Sequence, residues 1–306
     1  MRSSSTATAL ALAISAILVG CSMRMKAQDV ALRIDAAADT AELLVVYQGV
    51  SASGPGELNN ALSHARAVLD HEPLLWIPDW SVNVNFAALA RDTIESEPPS
   101  SPLERDVMTK LREFARDAKL VDAEAFVVND ELCAYQRFRF VGVSRLIAAA
   151  NDAIHVEVLE GSDDDVDART NELWRQRAVE RTPWFRLEAG GELVIEIPIS
   201  RAAYEKFRSE VLIGDIARDP GGAAWLGRRI AHLSRFTYDD ELVTLRFAPL
   251  ANGLYHSESS EPKPEPYEAA LKESLEREGC RFRDDIDVEA LKAEFVDEVG
   301  IRVKRS

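Results

Sequence analysis

AEAFVVNDELCAYQRFRFV, residues 123–141, decides the fold. Two runs rich in apolar and aromatic residues, Ala123–Val128 and Leu132–Val141, flank Asn129-Asp130. Asn and Asp tolerate left-handed backbone, so this pair predicts a tight turn and the segment predicts a β-hairpin. Arg137 and Arg139 alternate with Phe138 and Phe140 in the second run. Successive side chains on a strand point to opposite faces. If the phenylalanines face the core, the arginines form a row on the other side of the sheet. That row can pair with acidic side chains of a neighbouring strand, or receive an anionic partner. Arg137 and Arg139 are therefore candidate ligand or interface residues.

Outward from this hairpin the rhythm repeats. A helix is expected from Ser144 to Leu159, with Ser144 as its N-cap. PWFRLEAGGELVIEIPI, residues 183–199, reads as a second hairpin turning at Gly190-Gly191. Leu193, Ile195, Ile197 and Ile199 alternate there, so one face is buried. Ser200 then caps a helix running from Arg201 to about Ile213. A third hairpin spans about Ile230 to Phe247 and turns at Asp239-Asp240. Hairpins alternating with helices predict the α+β class: an antiparallel sheet built from hairpins, with helices packed on one face.

The rest of the chain fits this frame. ELLVVYQGV, residues 42–50, is a buried strand by composition. Leu58, Leu62, Ala65 and Leu69 recur at helical spacing. Leu74–Ile77 is a short strand, and helices are expected over 103–118 and 168–180. Residues 29–260 make the globular domain. EPKPEP, residues 261–266, is an extended linker, and helices near 267–278 and 288–299 either pack on the sheet or stand apart.

Composition narrows the function classes. Hydrophobic content of 46% and charged content of 29% belong to an ordinary folded protein. The formal net charge is -16. Such an acidic surface repels phosphate backbones, which argues against a nucleic-acid partner.

The first 21 residues carry the most specific signal. Arg2 precedes an apolar run from about Ala7 to Val19, which ends in Leu18-Val19-Gly20-Cys21. About 13 residues suit a signal sequence and fall short of the ~20 that span a bilayer. The segment resembles the signal peptide and lipobox of bacterial lipoproteins. That resemblance implies removal of residues 1–20 and acylation of Cys21, which anchors the chain to a membrane of the cell envelope. Ser22 in place of Asp leans towards the outer membrane. Residues 21–28 would then be a lipidated tether reaching about 25 Å at most. Arg24 and Lys26 could meet headgroup phosphates there, or carry no meaning.

Two cysteines remain for folding. In an oxidising envelope Cys133 and Cys280 can form a disulfide, credited with roughly 4–5 kcal/mol by loop-entropy reasoning. Cys133 on a strand equally suits a buried free thiol.

Catalytic motifs fail one by one. Gly49-Val50-Ser51-Ala52-Ser53 begins like a nucleophile elbow but lacks the final glycine. Asp163–Asp167, read as a calcium loop, puts Ala168 where Gly is needed and Trp174 where Glu is needed. Its acids suit a helix start instead. The five histidines lack metal-ligand spacing. No metal and no cofactor are expected. Trp76 and Trp80 flank Pro78-Asp79 and are candidates for a ligand groove or interface, with the core as the simpler place for them.

Three function classes follow. The first is a non-enzymatic accessory or scaffold lipoprotein binding another envelope component. The second is a carrier holding a hydrophobic or amphipathic ligand in the concave face of its sheet. A tryptophan-lined cavity would support it, and a filled sheet face would count against it. The third is a hydrolase with a non-standard site.

Overall fold

Asn129 and Asp130 both adopt left-handed backbone, with φ of 52° and 66°, and turn the chain between two long strands. The computed structural model describes residues 23–52, 54–77, 82–91, 102–160, 167–209, 235–246, 252–258, 267–295 and 302–303. In chain order these form β1 (Met23–Arg24), β2 (Ala27–Asp35), β3 (Thr40–Gln48), β4 (Ser51–Ala52) and α1 (Leu58–Leu69). β5 (Leu74–Ile77), β6 (Val82–Asn85), α2 (Phe86–Ala90) and α3 (Pro102–Asp117) come next. The central hairpin is β7 (Lys119–Val128) and β8 (Glu131–Val141), followed by α4 (Val143–Glu160) and α5 (Ala168–Val179). Then come β9 (Phe185–Leu187), β10 (Leu193–Pro198), α6 (Arg201–Phe207), β11 (Arg235–Asp239), β12 (Leu242–Arg246) and β13 (Asn252–Glu258). The chain closes with α7 (Tyr267–Arg277), α8 (Val288–Ala293) and β14 (Arg302–Val303).

The fold is α+β. Its main sheet has the order β14-β13-β2-β3-β8-β7. Pairing is antiparallel except for the short β13–β14 contact. Alternation along the strands makes two faces. Val30, Leu43, Val45, Tyr47, Phe138 and Phe140 point to the first, where the apolar stripes of α1, α3, α4 and α7 cover them. The phenylalanine side of the 123–141 segment is thus buried as its alternation requires.

The second face carries Ala31, Leu44, Val46, Phe126, Cys133 and Tyr135. α8 and Phe295 close over it, so a helix lies on this side as well. The C-terminal helices are docked: Leu271 and Leu275 of α7 are fully buried in the first-face core. Between α7 and α8 the chain runs beside edge strand β7, where Val127 N–H donates to the Arg283 carbonyl at 2.8 Å. This contact covers an edge that would otherwise expose unpaired backbone groups. Residues 267–295 therefore belong to the globular body rather than to an arm. The 261–266 linker lies outside the described residues.

Residues 23–28 of the expected 21–28 tether belong to the folded body. Met23 and Arg24 pair with Ala52 and Ser51, and β2 begins at Ala27. Gln28 and Asp29 are buried although polar. Asp29 accepts from Lys292 at 3.1 Å and from Gln48 at 3.2 Å, which makes its burial tolerable.

The other hairpins form their own sheet, ordered β11-β12-β10-β9. The third hairpin turns at Asp240-Glu241, one residue beyond the expected pair, because Asp239 pairs with Leu242. Asn151 of α4 ties this sheet to the first-face helices. Its Oδ1 accepts from Trp184 N–H (2.6 Å) and Phe185 N–H (2.8 Å), and its Nδ2 donates to the Phe185 carbonyl (2.9 Å). Ser200 caps α6 as expected, accepting from Ala203 N–H at 3.1 Å. Ser144 does not cap α4. The helix starts one residue earlier, at Val143, and the Asp39 carboxylate takes both the Ser144 N–H and its hydroxyl at 2.7 Å.

Candidate functional site

Trp76 lies on β5 and is buried against the first-face core. Its ring stacks on Tyr47 at 5.3 Å between centroids. The Tyr47 hydroxyl donates to the Trp76 carbonyl at 2.5 Å, and Gln136 Oε1 lies 2.7 Å from the same hydroxyl. Gln136 Nε2 in turn donates to the Leu74 carbonyl at 2.7 Å. Burial pushes the Tyr47 phenol far above its usual range and keeps it neutral. This buried polar network fixes the β5–β6 hairpin on the sheet. The cavity beside it, lined by Met23, Tyr47, Val68, Trp76, Leu132 and Leu275 among others, measures about 30 Å³. That is water-sized, far below the ~300 Å³ of a small-molecule site. Trp76 is thus a core residue; Trp80 lies outside the described residues.

The arginine row sits on the second face, as the alternation predicts. Arg137 is engaged by Glu42 of β3 (3.2 Å) and by Glu294 just after α8 (2.8 Å). Its guanidinium also lies 5.1 Å from the centre of the Phe295 ring, and Arg33 covers the same ring at 5.8 Å. Of the two expected roles, pairing with a neighbouring strand is the one realised at Arg137. The C-terminal segment occupies the position an anionic partner would take. Arg139 is exposed beyond it. The sequence signal that could have found Glu294 is weak: an acid 157 residues away, in a helix read as separable.

Cys133 and Cys280 are free thiols. Cys133 packs in the second-face core, while Cys280 packs against the first-face core. The sheet lies between them, so the proposed disulfide does not form. Burial raises the Cys133 thiol above its ordinary pKa, which makes it a poor nucleophile. Thiol titration of the domain from Met23 onward, unfolded without reductant, should therefore count both Cys133 and Cys280 as reactive. Loss of both signals would mean that they had paired.

The remaining candidates resolve into structure. Ser51 lies on β4, and its buried hydroxyl has no hydrogen-bond partner among the described residues, so none of these is poised on it as a general base. Asp167 caps α5, accepting from Thr170 N–H at 3.1 Å and from its hydroxyl at 2.6 Å; Asp163–Asp165 lie outside the described residues. His155 is buried with Nε2 on the Thr182 carbonyl at 3.1 Å. Burial lowers the His64 pKa and favours its neutral form. No cluster of three metal-ligating side chains occurs among the described residues.

One hollow was not foreseen. It measures about 370 Å³ and lies between Gly49-Val50, the Asp130–Leu132 turn and α7. Its rim carries Asp130, Glu131, Lys272, Glu273 and Glu276. Lys272 meets Asp130 at 2.5 Å, and nearby Lys26 meets Glu131 at 2.7 Å. Compared with protein-family models, curated proteins and solved structures, the chain finds no match. Among the described residues, no helix is long and apolar enough to cross a membrane.

Proposed function

We propose that the chain is a lipid-anchored lipoprotein of the bacterial envelope, acylated at Cys21. It would serve as a non-enzymatic accessory or scaffold for another envelope protein. The observation that carries this reading is Leu18-Val19-Gly20-Cys21, placed behind a short apolar run and immediately before the first strand. The body behind it supports a binding role over a carrier role. Both sheet faces are packed with the chain's own helices, and the cavity beside Trp76 holds at most a water. Ser22 favours the outer membrane.

The expected result of Cys21→Ala is complete loss of palmitate incorporation in growing cells, with the folded domain unchanged by circular dichroism. Unchanged labelling would place the acyl group elsewhere and sink the reading. Crosslinking of the lipidated protein in its own membrane would then identify the partner.

A further inference from the structure

The short distance between Cys21 and β1 constrains how the domain sits on a membrane. Met23 is already paired in the fold, so only Ser22 stands between it and the lipidated cysteine. The two Cα–Cα steps from Cys21 to Met23, fully extended, reach about 7 Å. A domain on such a lead cannot tumble freely above the bilayer. It must present the end that holds β1.

That end is defined by the sheet. Ala27 of β2 pairs with Gln48 of β3, and Glu258 of β13 pairs with Ala27, so all three strands have this end in common. Val50 N–H donates to the Leu132 carbonyl at 2.7 Å, which brings the β7–β8 turn alongside. The hollow between that turn and α7 opens here too. Exposed Val128 is the last residue of β7 before the turn. Arg24, Lys26 and Lys272 also gather at this end of a chain whose net charge is -16. Lys26 and Lys272 pair with Glu131 and Asp130, while Glu273 and Glu276 on the same rim keep it acidic, so this end suits zwitterionic rather than anionic headgroups.

We infer that the end formed by β1, β4, the Asn129-Asp130 turn and the start of α7 is a membrane-facing surface resting on phospholipid headgroups. The inference rests on lipidation at Cys21. The strands then run away from the bilayer, and the far end, with exposed Val121 and Val141, stands clear of it.

The two ends of β7 provide a ruler. Val121 and Val128 are both exposed and stand about 23 Å apart at ~3.3 Å per residue. Full-length lipidated protein carrying Cys280→Ser receives a bimane probe at Val128→Cys, at Ala269→Cys on α7, or at Val121→Cys. Each is reconstituted in phosphatidylethanolamine–phosphatidylcholine vesicles containing a headgroup spin label. Palmitate labelling of the same preparations reports the anchor separately. The probes at positions 128 and 269 should lose most of their emission, and the probe at 121 should keep nearly all. If the label is present but position 121 is quenched, or neither end is, the orientation is wrong and lipidation stands. If the label is absent, the lipoprotein reading fails and takes this inference with it.

Discussion

Phe138→Ala will cost the domain about 3–5 kcal/mol, the range for emptying a large aromatic site in a core. Phe138 is fully buried at the centre of the first sheet face. Its ring lies 5.8 Å from Phe86 and 6.0 Å from Phe140, and Phe140 stacks on Phe114 at 5.5 Å. These rings join α2 and α3 to the sheet, so the hole cannot close by moving one loop. With total stabilities of about 5–15 kcal/mol, a loss of this size leaves the domain marginal. Phe138→Leu, which keeps most of the volume, should cost much less. Urea unfolding of the domain from Met23 onward checks both. A loss below about 1 kcal/mol for Phe138→Ala would mean that this face is not the packed core.

Lys292→Ala should be nearly as damaging, at about 3–5 kcal/mol, for an electrostatic reason. Asp29 and Lys292 form a buried pair at 3.1 Å, and both side chains are close to fully shielded from water. Burial alone works against the Lys292 ammonium. Glu289, at 2.5 Å, and Asp29 outweigh it and hold its pKa above the ordinary lysine value. Removing the lysine withdraws the ammonium that balances the buried Asp29 carboxylate, to which Gln48 also donates. The double variant Asp29→Asn with Lys292→Ala should recover most of the loss, because the carboxylate charge that Lys292 balances is gone with it. A double variant as unstable as the single would show that the loss does not come from the Asp29 charge. The pair links residues 263 apart, so it also reports directly on whether α8 docks.

The central hairpin was legible because its signals are local. Asn129-Asp130 names its own turn, and the Phe/Arg alternation of β8 needs no distant partner to be read. Helix caps written by neighbouring residues were legible too, as at Ser200. Features set by distant residues were hidden. The start of β2 falls inside the expected tether over 21–28, and Lys292, which balances the buried Asp29 carboxylate just after it, comes near the end of the chain. Ser144 looked like a cap because Asp39, which performs that task, lies 105 residues earlier. The docking of α7 and α8 was masked by the proline-rich stretch before them, which reads as a separator whatever follows it. The candidate site followed the same rule. The face of Arg137 could be read, but its engagement by Glu294 and Phe295 could not.

The central claim is that Cys21 carries lipid and begins the mature chain. Mass spectrometry of the N-terminal peptide, cut from protein extracted from the membrane fraction, tests it most directly. The account predicts a peptide starting at Cys21 with the mass of a diacylglyceryl group and an added acyl chain. A peptide that retains residues before Cys21, or starts there with an unmodified cysteine, would contradict it.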